Sequence, residues 1–281
     1  MSGRFAEVTE RIETVHKLGA VISAMRGIAA SRVQEAHQHL DSIRTYADTI
    51  GAAIGEALAL LPHPEADAGT DTDGGRNVLI VFTAEQGFAG SFSEKTLAAA
   101  APLRQASSDL FLIGDRGLFV ADEQQIPVAW STPMIAHPAQ TAALATRITE
   151  QIYDRVANSR TTRVTAIHAL PGGGDQMRVV IKHLVPFDYD RFPLATTRVQ
   201  PRITLPPARL LEQLVEEHIF AELGEAIIQS FAAENEARMR AMIAAQDNTD
   251  ASLQELIGTS RRLRQDDITE EIIELATASL M

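Results

Sequence analysis

Two proline-free stretches bracket this chain, and they constrain its fold more than any other feature. From Phe5 to Leu61 apolar residues fall at Phe5, Val8, Ile12, Val15, Leu18, Ile22, Met25, Ala29, Val33, Ala36, Leu40, Ile43, Ala47, Ile50 and Ile54. Steps of three and four make a heptad-like seam on a helix. At 1.5 Å per residue that helix is roughly 85 Å long, so it needs a partner along its length. From Ala208 to the last residue proline is again absent, which predicts a second helix of roughly 110 Å. Small residues in GAVISAMRGIAAS, at the centre of the first seam, allow a second helix to approach closely. The expected architecture is an antiparallel coiled coil of N- and C-terminal helices (1–61 and 208–281) with a globular insertion. The second helix is the longer, so its end is expected to protrude.

Between the helices the pattern changes class. PHPEADAGTDTDGG, Pro62 to Gly75, reads as an exposed loop. NVLIVFT, DLFLIG and IPVAW read as short buried strands separated by helical runs. The helix AQTAALATRITEQIYDRVAN follows, and then TRVTAIHAL and MRVVIKHLVPF, joined by PGGGDQ as a hairpin. Alternating strands and helices predict a mostly parallel, Rossmann-like α/β domain over 76–190 with an antiparallel pair at one edge, followed by a connector over 191–207. The stretch Glu234 to Ser252 is polar or small on most faces, which suits a helix bridging between bodies.

Several classes of chemistry are excluded or weakly supported. The chain has 281 residues, a formal charge of −12 and no cysteine. Disulfides, thiol nucleophiles and cysteine-ligated zinc are therefore ruled out, and an acidic balance argues against general nucleic-acid binding. The N-terminus is charged from its first turn, and no apolar run approaches a membrane span. FTAEQGFAGSF could place a phosphate on a helix N-terminus, but Gly87 and Gly90 supply only two of the three glycines of a dinucleotide fingerprint, so a tight strand-to-helix turn is expected. PGGGDQM lacks the Lys-Ser or Lys-Thr of a P-loop. His37 and His39 do not share a helix face. His168 and His183 lie on the two hairpin strands, where they could face each other. No catalytic residue, metal site or cofactor is expected.

The C-terminal RQDDITEEIIELATASLM keeps an apolar stripe, Ile268, Ile272 and Leu275, almost to its last residue. Asp267 and Glu270 have capping-box spacing, so one reading is a short new helix folded onto the chain's own domain.

Three segments resemble the gamma (central stalk) subunit of F-type ATP synthases. They are RIETVHKLGAVISAMRGIAASR near the N-terminus, FTAEQGFAGSF, and the pair NEARMRAMIAAQDNTDASLQEL and RQDDITEEIIEL near the C-terminus. The resemblance spans the whole chain and is most specific in the last pair. It implies a rotor with no chemistry of its own, turning inside a hexamer of three alpha and three beta subunits, with an epsilon subunit and a membrane c-ring as further partners. Ion flow through the ring would drive the catalytic sites of the beta subunits through their cycle. The implied location is the cytoplasmic face of a bacterial inner membrane, held there only through the complex. Matched by position, Met25, Arg26, Arg238, Arg264, Gln265 and Thr269 would contact the alpha/beta hexamer, with Ile268, Ile272 and Leu275 in an apolar collar. The sequence departs from the family's pattern at Ala20, Val21, Ile22 and Ser23, where positive charge is usual, and at Ala278 and Ser279. The competing reading is a small-molecule or nucleotide-binding α/β protein with a coiled-coil dimerisation arm, which requires a convergent pocket around Glu85 to Ser91 and Gly114 to Gly117.

Overall fold

A computed structural model describes residues 3–61, 75–159, 161–172, 177–194 and 201–278. The predicted loop Pro62 to Gly75 falls outside them except for Gly75, as do the last four residues of the PGGGDQ turn. Helix α1 runs Gly3–Leu58 and helix α5 runs Pro207–Ala278. Between them lie β1 (Arg76–Phe82), α2 (Phe92–Ala100), β2 (Ser108–Ile113), α3 (Asp115–Glu123), β3 (Trp130–Thr132), α4 (Thr141–Ser159), β4 (Thr161–Leu170) and β5 (Arg178–Val185). The chain divides into two units, residues 31–237 and residues 1–30 with 238–281.

The larger unit is built on a five-stranded sheet of order β3-β2-β1-β4-β5, parallel except for β5 at one edge. Alternate residues of the buried strands feed two cores. Val78, Ile80, Phe82, Phe111, Ile113, Val164 and Leu184 face α4 and the long helices, meeting Leu144, Ile148, Leu40, Leu223, Ile227 and Phe231. Leu79, Val81, Leu110, Leu112 and Ile167 face α2 and α3, meeting Leu97, Ala100 and Ala121. Both faces are covered, which is why the strands read as unbroken apolar runs. The expected strand IPVAW lies further along the chain: Trp130–Thr132 pair with β2, preceded by a bond from the Ala129 N–H to the Leu110 carbonyl at 2.9 Å, while Pro127 offers no ladder donor. Within this unit α1 and α5 run antiparallel: Arg44 bonds Glu225 at 3.0 Å, and a Cβ on Gly51 would lie 4.0 Å from His218.

The smaller unit pairs the first part of α1 with the last part of α5. Its seam differs from the predicted one at one position. Leu18 is 51% exposed, and Gly19 takes the inward place, where a Cβ would lie 3.6 Å from Cγ2 of Thr249. A regular heptad assigns that place to residue 19, and the larger side chain at 18 drew the reading one step off. Helix α5 continues unbroken past Asp267 and Glu270, so no separate terminal helix forms there.

Candidate functional site

In open α/β sheets a ligand sits beyond the carboxyl ends of the strands, where neighbouring connections diverge. Here that place lies beyond β1, whose neighbours are β2 and β4. The chain fills it with its own groups. The Thr83 hydroxyl donates to the carbonyls of Ile113 (2.8 Å) and Gly114 (3.1 Å), closing the loop after β1 onto the loop after β2. The Glu85 carboxylate accepts the backbone N–H of Asp115 (3.2 Å), at the start of α3, and that of Met134 (2.7 Å). An anionic ligand would use those N–H groups. Burial pushes the Glu85 carboxyl above its usual range, and the charges of Asp115 and Glu234 add to this, while its two backbone donors pull the other way.

The second carboxylate comes from the far end of the sequence. Glu234 on α5 is 3% exposed and accepts the N–H groups of Glu85 and Gln86, each at 3.2 Å. Two consecutive amides converging on one anion form a small nest. What space remains is about 190 Å³, with Gln86, Gly87, Phe88, Arg116 and Phe119 on its walls. This is below the range of small-molecule pockets, and Phe88 and Phe119 point outward at 67% and 63% exposure. The crevice that a nucleotide-binding reading requires is closed by side chains.

A larger cavity of about 440 Å³ lies between α1, β5 and α5, walled by Asp48, Lys182, Arg191, His218, Glu222 and Glu225. The charges of Lys182, Arg191, Glu222 and Glu225 are already matched. The Glu222 carboxylate, 3% exposed, accepts from Arg191 at 2.7 Å and lies 3.2 Å from Lys182. His218 Nε2 is 3.3 Å from the same oxygen, without hydrogen-bond geometry. Glu225 takes bonds from Arg44 and from Gln229, whose other end meets His168 at 2.7 Å. The two hairpin histidines therefore do not meet: His183 pairs with Thr165 instead. Burial alone would raise the Glu222 carboxyl, but the groups around it prevail and hold it at about 2. Its ionised form thus stabilises the fold fully above pH 4.5, and that contribution fades as pH falls toward 2, a difference of about 3 kcal/mol. In urea unfolding, the stability gap between wild type and Glu222→Gln is expected to narrow as pH drops through this window. A gap independent of pH would contradict the assignment.

The residues selected from sequence lie on two helices. Met25 is half-buried and Arg26 exposed on α1. Arg264, Gln265, Ile268, Thr269, Ile272 and Leu275 share one broad face of α5 and are exposed, the three apolar ones at 49%, 60% and 66%. Ile273, 57% exposed, widens that face. Arg238 differs, being 4% exposed, so its side chain offers little surface to another subunit. The polar stretch around it was expected to bridge between bodies. Instead Glu234 and Asn235 are buried, because polar side chains there are consumed by hydrogen bonds such as that from Asn235 to the Phe231 carbonyl at 2.8 Å. Sequence reading missed the Glu222 and Glu234 networks.

The crevice beyond the sheet is thus closed, Glu222 and Glu225 are matched by cations, and the last turns of α5 expose an apolar face. Among the described residues no group could hold a metal ion, and no helix is long and apolar enough to cross a membrane. The sequence pattern of the family described as ATP synthase matches residues 4–279. The ATP synthase gamma chain of Amoebophilus asiaticus (strain 5a2) is 26% identical over 284 residues, covering 97% of each chain. A chain of the Euglena gracilis mitochondrial ATP synthase, in the OSCP/F1/c-ring structure in rotational state 3, superposes with a TM-score of 0.73 at 14% identity, covering 98% of this chain and 93% of that one. A chain of the rotor of the same synthase in rotational state 1 gives 0.69 at 13% identity, covering 95% and 99%. The chain belongs to the ATP synthase gamma family, the non-catalytic central-stalk subunits of a membrane-associated rotary complex.

Proposed function

We propose that this chain turns inside a hexamer of alternating alpha and beta subunits and carries the rotation of a membrane c-ring to their catalytic sites, with an epsilon subunit as its companion in the rotor. The observation that carries this reading is the end of α5, where Ile268, Ile272 and Leu275 remain exposed on one face of a continuous 72-residue helix. Covering such a face releases about 1.5–3 kcal/mol per large apolar side chain, yet the chain leaves it open. An apolar sleeve around it makes a bearing, because apolar contact is non-directional and tolerates rotation. Met25, Arg26, Arg264, Gln265 and Thr269 contact the hexamer around the same shaft. Rotation then biases each beta subunit between open and closed states, and the bonds of ATP form on those subunits. The complex sits on the cytoplasmic face of a bacterial inner membrane, and this chain reaches the membrane only through it.

Co-expression with alpha and beta subunits is expected to give a complex holding one copy of this chain. If the chain stays monomeric while the hexamer forms without it, the reading fails.

A further inference from the structure

The stalk reading leaves one question open: what stops helix α5 from turning within the α/β unit when torque passes between them. Much of the packing there is apolar. Ala226, Ile227, Ile228, Phe231 and Ala232 meet the sheet face through apolar contact, which is non-directional. Glu234 is different in kind. Its carboxylate is nearly fully buried and bonded to two consecutive backbone amides at the end of the central strand. One of those residues, Glu85, extends its own carboxylate to the loops after β2 and β3. A single side chain of the shaft thus engages the junction of three loops. Turning α5 by one residue, about 100°, would carry the carboxylate out of reach of both amides and strand a buried charge.

Resting on the stalk reading, we propose that Glu234 is the positioning residue that keys the α/β unit to the rotating helix, a carboxylate built into the shaft that occupies the place of an anionic ligand at the end of the sheet. Glu222, twelve positions earlier and held by Arg191 and Lys182, supplies a second fixed point. The two lie about 18 Å apart along α5 and project about 120° apart around it, so no other rotational setting satisfies both.

Two measurements test this. In vesicles carrying the assembled synthase, Glu234→Ala is expected to keep most ATP hydrolysis while ions moved per ATP fall about threefold. Added formate, but not chloride at equal ionic strength, should recover part of the loss by entering the vacated nest. Glu234→Gln, which keeps the shape and one acceptor oxygen, should fall between wild type and Ala without formate rescue, and it serves as the reading if the Ala variant does not assemble. An unchanged ratio, a parallel fall of hydrolysis and transport, or no response to formate overturns the proposal. In the isolated full-length chain, amide exchange at Glu85 and Gln86 should speed up about tenfold or more in Glu234→Ala. Unaltered exchange overturns the anchor even if the stalk reading stands. Failure of the wild-type chain to join a synthase, with exchange still faster in Glu234→Ala than in wild type, overturns the stalk reading alone.

Discussion

Deletion of residues 264–281 is expected to leave unfolding of the α/β unit within about 0.5 kcal/mol of wild type while reducing coupled ATP turnover about tenfold or more. The first half follows from exposure. From Ile268 to Ala278 every described side chain of α5 is exposed, so its removal takes little buried surface from the chain itself. The second half follows from composition. Ile268, Ile272, Ile273 and Leu275 leave apolar area in water that only another protein can cover. Urea unfolding followed by fluorescence of Trp130, which packs against Phe111 in the α/β unit, reads the first. Ion-driven ATP synthesis by the assembled complex reads the second. A lowered unfolding midpoint would mean that the tail packs on its own domain. Replacing Ile268 and Ile272 together by aspartate should reproduce much of the functional loss with the helix intact.

Gly114→Ala should be among the most destabilising single substitutions, at about 4 kcal/mol or more. Gly114 links β2 to α3 with φ of +110°, a conformation that L side chains rarely adopt. An added Cβ would lie 2.6 Å from the Thr83 carbonyl oxygen and 2.8 Å from that of Ala84. Both obstacles are backbone, fixed by the bonds from Thr83 to Ile113 and from the Arg116 N–H to Ala84, so neither can swing aside. Thermal unfolding checks the loss, and a variant within about 1 kcal/mol of wild type would show that these two loops can separate.

The contrast between these residues shows what local pattern conveys. Apolar spacing places Ile22, Ala36, Leu40 and Ile54 inward on α1, because a helix repeats its faces at a fixed period. The same spacing misplaces Leu18, since residue size and position compete where the seam narrows to Gly19. Unbroken apolar runs mark β1 and β2 as covered on both faces, and the short antiparallel edge is visible in TRVTAIHAL and MRVVIKHLV. Glu234 offers no such clue. It sits in a polar run and looks solvated until the fold brings Glu85, 149 positions away, against it. Glu222 is equally silent, because the cations that hold it come from β5 and from Arg191 at the start of the connector.

Sequence by itself determined the two long helices, the strand-and-helix alternation between them and the apolar terminal stripe, since each depends on residues close together along the chain. Tertiary structure alone decided that the sheet's ligand crevice is closed by carboxylates and that Glu234, Asn235 and Arg238, at the start of the shaft's polar stretch, are buried. Both depend on partners distant in sequence, whose hydrogen bonds become favourable only where folding has already removed the water.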